Sequence, residues 1–417
     1  MNNTVQNRQG SSFSVTYPDF PSFSLLPLNL RIYQEAGKQD VVDITYTQFT
    51  PFYTKSFKTG VPVKIVWNNG TESNTLYGYV YNVAPKTQQT MQRTTVVRVI
   101  GASLALKESA TKIWTNMSAS DIVTDIAKQF KLKPVVTADA TKFAQQSMIG
   151  HTYWEKIQEL AERVGYVAQM LGTELHFHQM DTMIDMFATT IPVLSFNDPY
   201  SNPWASVKDQ TLDSFTPRIG DYTDLAQHNR STKVVTGVHP VTGKTYKVTS
   251  SPNAVGKALR TSTKDPLFNE VMPTTITDSV VAAQKRVDAQ AQLSRFNIMA
   301  KGGGQGDPRL SPYRTVEING TGDTTDGYWI IKKIEHFITA DGRYQIEFSC
   351  MTDGTGKSKG SSTRSVNAST IPVRNIPYEM STGITSTKTV STLSSPTAML
   401  SQTNTGFNVT PRRWVGK

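Results

Sequence analysis

The most constraining feature of this chain is a set of short runs in which every second residue is apolar. In "VPVKIVW" the apolar positions are Val61, Val63, Ile65 and Trp67, and a turn at "NNGTES" separates this run from "LYGYVYNV" (76–83) and then "TTVVRVIGA" (94–102). Side chains on a strand alternate between two faces, so this spacing fits a half-buried sheet and no helix. Short strands punctuated by Gly, Asn and Pro predict an antiparallel sheet or barrel. At 417 residues the chain has room for two or three domains.

The pattern changes at Trp114. In "NMSASDIVTDIAKQFKL" Ser118 stands three residues before Asp121, a capping box, and Ile122, Ile126 and Phe130 follow at helical spacing. Thr152 and Glu155 repeat the device in "HTYWEKIQELAERVGY". Trp154, Ile157, Leu160, Ala161 and Val164 form that helix's apolar stripe, and Gly165 stands where a left-handed end is expected. Tyr166–Met170 and Glu174–His178 then read as a hairpin. The predicted organisation is a flexible N-terminus (1–20), a first β-barrel (21–110), an α+β module (111–190), a second β-barrel (191–354) with a helix around 279–294, and a tail (355–417). Within the second barrel, "KVVTGVHPVTGKTYKVTS" reads as a hairpin around Gly243. The predicted class is mainly β with an α+β insertion.

A net charge of +10 suggests nucleic acid, but its distribution does not. Residues 355–417 hold eight Lys or Arg and one acid, Glu379, which leaves +3 for the other 354 residues. The same tail is Ser/Thr-rich and holds few aromatics to stack bases (Tyr378, Phe407, Trp414), so it reads as a basic docking arm. No run approaches the ~20 apolar residues of a membrane span. "MNNTVQNRQGSSFS" has no signal core, so synthesis in the cytoplasm is expected. The single cysteine, Cys350, excludes an internal disulfide and reads as a small apolar strand residue.

Candidate chemistry is sparse. "HFH" puts His176 and His178 on one face of a strand, a spacing that can bind zinc, with His151 or Asp181 as a conceivable third ligand. Nothing else supplies ligands, and a half-exposed strand is the simpler reading, so no metal or cofactor is expected. "GGGQG" (302–306) lacks the Lys-Ser/Thr of a phosphate loop, and with Asp307-Pro308 after it reads as a flexible connection. Asp121/Asp125 and Glu159/Glu162 have the spacing of solvated helix faces. No Gly-x-Ser-x-Gly elbow is present, and no catalytic residue is assigned.

The remaining candidate is "GYWIIKKIEHFITADGRYQIEFSC" (327–350). A two-residue loop at Asp341-Gly342 predicts a hairpin with His336 opposite Glu347 and Phe337 opposite Ile346. Trp329, Ile331 and Phe337 then share one face, with Tyr328, Ile330, Ile334 and Ile338 on the other. A hairpin apolar on both faces needs cover on both. A subunit interface at Trp329, Ile331, His336, Phe337 and Glu347 is the expectation.

The order of these parts resembles the baseplate hub family of bacteriophage tails, which includes phage late control protein D and the hub-like part of type VI secretion spike proteins. The likeness rests on "GVPVKIVWNNG…LYGYVYNVAP", on "WTNMSASDIVTDIAKQFKL", on "TYWEKIQELAERVGYVAQMLGTELHF", and on the Ala-rich helix followed by "DGYWIIKKIEHFITADGRYQIEF", over about residues 20–354. The resemblance implies two tail-tube-like β-barrels and a homotrimer whose six-barrel ring joins a sixfold tail tube to a threefold central spike. The partners implied are the tail tube, spike, tape measure and other baseplate proteins, in the virion, with no catalysis, no sequence-specific nucleic acid and no membrane insertion. The tail after Gly354 has no counterpart in that pattern. Two rivals stand beside it. One is a peptidoglycan-binding or hydrolysing tail protein, from a partial likeness of "SASDIVTDIAKQFKL" to a LysM module. The other is a hexameric tail tube or adaptor protein.

Overall fold

The computed structural model describes residues 3–354, except 7–9, 22, 24, 48–56, 88–92, 187–189, 197–210, 219–230, 239–242, 251–267, 272–279, 295, 297 and 323–324. The basic tail, and with it the expectation of a docking arm, lies outside the described residues.

The chain opens with seven strands: β1 (Asn3–Gln6), β2 (Ser12–Thr16), β3 (Pro27–Glu35), β4 (Val41–Thr47), β5 (Pro62–Asn68), β6 (Ser73–Thr87) and β7 (Arg93–Gly101). The period-two runs are strands, as their spacing requires. The flexible N-terminus needs correction. β2 pairs with β5, and Phe13, Val15 and Tyr17 are buried in the main core. These three alternate like the later runs, inside a segment whose Asn, Gln and Ser content conceals the pattern.

After a 3-10 turn at Ala102–Lys107 comes the α+β module. It contains β8 (Lys112–Ser118), α1 (Ala119–Gln129), β9 (Lys133–Val136), β10 (Lys142–Met148), α2 (Tyr153–Val164), β11 (Tyr166–Leu171), β12 (Glu174–Gln179) and α3 (Met180–Met186). Both capping boxes form reciprocally, at Ser118/Asp121 and Thr152/Glu155, and Gly165 ends α2 at φ +76°. The apolar stripes of α1 and α2 fill the module's own core with Trp114, Leu175 and Phe177. Each large aliphatic buried there contributes about 1.5–3 kcal/mol. Asp125 is not simply solvated, since it accepts from Trp114 Nε1 at 2.9 Å and Lys112 Nζ at 2.8 Å.

The rest comprises β13 (Val193–Ser195), β14 (Leu212–Arg218), β15 (Ser231–Val238), β16 (Thr245–Thr249), β17 (Phe268–Val271), α4 (Val280–Ser294), β18 (Ile298–Gln305), β19 (Thr315–Asn319), β20 (Gly327–Thr339) and β21 (Tyr344–Thr352). β15 and β16 pair as expected around Gly243. The glycine run is corrected: Gly302–Gly304 lie inside β18, paired to β21 on one side and β14 on the other.

One mainly antiparallel, curled sheet of 13 strands runs β1-β2-β5-β6-β7-β4-β3-β20-β21-β18-β14, with β19 and β13 branching from β20. The two β-regions meet where β3 pairs with β20, from Glu35↔Lys333 to Asn29↔Thr339. The curl encloses a single core that draws Phe13, Trp67 and Val97 from the first region and Trp329, Ile334 and Phe348 from the second. The fold is therefore mainly β, a half-barrel sheet with an inserted α+β module.

Candidate functional site

The β20–β21 hairpin forms with a different register from the one expected. Gly342 N donates to Thr339 O at 2.9 Å, Thr339 N donates to Arg343 O at 3.0 Å, and Gly342 has φ +88°. The loop is thus three residues, Ala340 to Gly342, ending in a left-handed glycine. This slips the pairing by one, so that His336 faces Ile346, Phe337 faces Gln345 and Glu335 faces Glu347. A second irregularity, between Ile331 and Lys333, adds one residue to β20. A bulge reverses the alternation beyond it. Trp329 and Ile331 therefore share the core with Ile334 and Ile338, while Ile330 turns to the other side, into a small cluster with Val167 and Tyr313. Most of the hairpin's apolar residues gather on one face, with Ile330 and Phe337 left on the other.

Of the residues assigned to this hairpin, Trp329, Ile331 and His336 are buried inside the protomer. His336 Nδ1 lies 2.9 Å from the Tyr344 hydroxyl, and the ring stands 5.9 Å from Trp67, centre to centre. Full burial pushes its pKa down to about 4, against a smaller upward pull from the backbone at Leu310. It is a neutral core histidine. Phe337 and Glu347 belong to the opposite, outward face of the sheet.

That outer face is polar and charged, and long-range pairing assembles it. Arg98 on β7 grips Asp43 on β4 with two bonds of 2.7 and 2.8 Å. Arg31 on β3 lies 4.9 Å over the Phe337 ring and 3.8 Å from Glu335. Arg31, Asp43, Arg98 and Phe337 surround a recess of about 410 Å³. A second recess of about 510 Å³ lies across the sheet, floored by Gly302–Gly304 and lined by Lys301, Lys333, Glu335, Glu347 and Asp213. There Glu335 and Glu347 are directly opposite, an arrangement that costs a few tenths of a kcal/mol in an isolated sheet. Lys64 over Tyr77 and Lys107 over Tyr81 extend the pattern across β6. Sequence reading missed Arg31, Asp43 and Arg98. The signal was their alternation with buried neighbours in "LRIY", "VDIT" and "VRVI".

His176 and His178 do share one face of β12, with ring centres 5.6 Å apart. His176 Nε2 meets Glu174 at 3.2 Å and His178 Nδ1 meets Thr137 Oγ1 at 2.7 Å. The strand is buried rather than half-exposed, and burial lowers both pKa values, that of His178 to about 4. His151 is exposed beside Glu155. Among the described residues no group of three or more His, Cys, Asp or Glu side chains is placed to hold a metal ion. No helix among them is long and apolar enough to cross a membrane. Cys350 is buried on β21.

No family model and no curated protein matches the sequence. Solved structures match the fold over most of the chain. A tail protein from Neisseria meningitidis MC58 aligns with a TM-score of 0.57 at 12% identity, over 82% of this chain and 97% of its own. The 43 kDa tail protein of prophage MuSo2 from Shewanella oneidensis aligns at 0.55 and 16% identity, over 83% and 99%. The E. coli c3393 protein, a type VI secretion component with structural similarity to T4 tail proteins gp27 and gp5, aligns at 0.52 and 10%, over 81% and 76%. At these identities the likeness is one of fold.

Proposed function

We propose that this chain is a non-enzymatic structural protein of a phage tail, a hub that forms a trimeric ring in the baseplate or tail tip. The observation that carries this reading is the agreement in fold with a tail protein and a prophage tail protein, over 97% and 99% of their lengths. The charged outer face supports it. Ion pairs and opposed glutamates on a rigid sheet suit registration against a neighbouring subunit better than turnover of a small substrate. Interfaces in a permanent ring of this kind bury on the order of 2,000 Å² or more. In this reading the ring joins a sixfold tail tube to a threefold spike and lines the channel for genome passage. The tape measure and other baseplate proteins are further partners, and residues 355–417 grip one of these neighbours.

The direct test is the solution mass of the full chain by size exclusion with light scattering, followed by electron microscopy of the peak. Three times 46.1 kDa with threefold projections is the expected result. A hexamer overturns the hub in favour of a tube or adaptor protein. A monomer that stays monomeric when mixed with its spike overturns the ring, and retention on peptidoglycan would then redirect the assignment to the cell wall.

A further inference from the structure

The α+β module meets the sheet along a seam built around the β3–β4 turn. Gly37 N, at the tip of that turn, donates to Gln169 Oε1 of β11 at 2.9 Å, and Gln39 Nε2 donates to Ser103 O at 2.9 Å. A small apolar cluster closes part of the seam, with Val167, Met180 and Met183 from the module against Tyr313, Ile330 and Phe296.

Elsewhere α2 lies against α4 at Gly165 and Ala289, and Lys285 Nζ pairs with Asp139 at 2.6 Å, but around the β3–β4 turn the seam holds buried polar atoms without partners. On one side of the turn Gln34 Oε1, Asp40 Oδ1 and Ser103 Oγ have no hydrogen-bond partner. On the other side the same is true of Gln169 Nε2, His176 Nδ1 and His178 Nε2. The second group shares one surface, because β11 and β12 place Gln169 opposite His176 and Val167 opposite His178. That surface is the one turned to the body, as Val167 and Gln169 both contact it. Folded proteins leave few such atoms unpaired, and a buried water making about three bonds is the usual remedy. The chemistry of both groups suits water. The first offers two acceptors and a hydroxyl. In the second, the Gln169 amide donates, and His176, whose Nε2–H is held by Glu174, offers a lone pair at Nδ1.

We propose that the module is a separately opening unit, seated on the body through a water-filled seam on both sides of the β3–β4 turn. A seam held by water, a small apolar patch, one helix contact and one ion pair opens at lower free energy than a dry core, so the module forms its own cooperative unit.

The titratable groups in the seam oppose one another. Asp40 faces Gln34 and the Gly101–Ser103 segment, and burial raises its pKa to about 7. Closing therefore binds a proton, and Asp40 makes opening rise about tenfold per pH unit from about 4 to 7. The histidine pair faces Glu174 on its own strand, Lys133 and Thr137 from β9 and its following turn, Gln169 from β11, and the apolar side of α3. Burial lowers both histidine pKa values, that of His178 to about 4, so both favour opening as pH falls below about 6.5.

Hydrogen exchange on the full chain, corrected for intrinsic rates, tests this. The amides of α1 and α2 should exchange together, at least a hundredfold less protected than those of β20. Asp40→Asn should uncover the histidine arm, with module opening rising up to about tenfold per unit as pH falls from about 6.5 to 4 through His178, and His176 acting in the same direction. The paired substitution His176→Gln/His178→Gln should uncover the opposite slope. Module amides as protected as β20, or an unchanged profile in Asp40→Asn, would overturn the proposal. So would a high-resolution crystal structure with both pockets dry.

Discussion

The ring of Phe348 lies directly over Gly302 of the neighbouring strand, so close that a methyl group on Gly302 would stand 2.6 Å from the ring's Cζ. A stretch that reads as a flexible connection is therefore a strand whose missing side chains make room for an aromatic. Gly302→Ala should destabilise the protein by about 1–3 kcal/mol, the usual range for overpacking. Chemical denaturation measures this, and adding Phe348→Leu should return part of the loss. If Gly302→Ala is neutral, the close packing of this pair is wrong.

Gly165 faces two constraints together. Its φ is +76°, and a Cβ there would lie 2.2 Å from Ala289 Cβ on α4. Gly165→Ala should cost about 2–4 kcal/mol, of which about 1 kcal/mol is backbone strain. Adding Ala289→Gly should recover only part of the loss in a thermal melt, since Ala289 Cα would still stand 2.8 Å from the new methyl group and a glycine within α4 costs about 1 kcal/mol of its own.

His336 makes stability depend on pH. Its pKa is about 4 in the fold, against 6.5 for an exposed histidine. The unfolded chain therefore binds the extra proton between these values. Stability from this group is complete above pH 6.5 and falls as pH drops to 4, by on the order of 3 kcal/mol. His336→Gln should flatten that slope in urea titrations across pH 4–7. An unchanged slope would place the acid sensitivity elsewhere.

Glu347 separates the needs of the protomer from those of the assembly. Opposite Glu335, a lysine is better than a glutamate, so Glu347→Lys should stabilise the isolated chain by about 0.2–1 kcal/mol. If the outer face is an interface, the same change lowers the mass seen by light scattering. A fully assembled, unperturbed variant would remove this face from the interface.

The helix caps are simpler. Thr152→Ala removes one half of a reciprocal cap and should cost about 1 kcal/mol. Serine at the same position should restore most of it.

What the sequence determined by itself was local. The caps at Ser118 and Thr152, the left-handed end at Gly165 and the alternation from Val61 to Trp67 each follow from bonds and sterics within a few residues, and all stand in the fold as read. What tertiary structure decided was register and partnership. The three-residue loop at Ala340–Gly342 and the extra residue between Ile331 and Lys333 turned His336 inward and left only Phe337 and Glu347 outside. Neither has a sequence signal strong enough to settle it, since Asp-Gly suits loops of both lengths and a bulge depends on what packs beneath it. The β3–β20 pairing, the Arg98–Asp43 fork and the aromatic cover of Gly302 are likewise long-range. Strand partners are chosen by the core they jointly bury, and that choice is made only when distant segments meet.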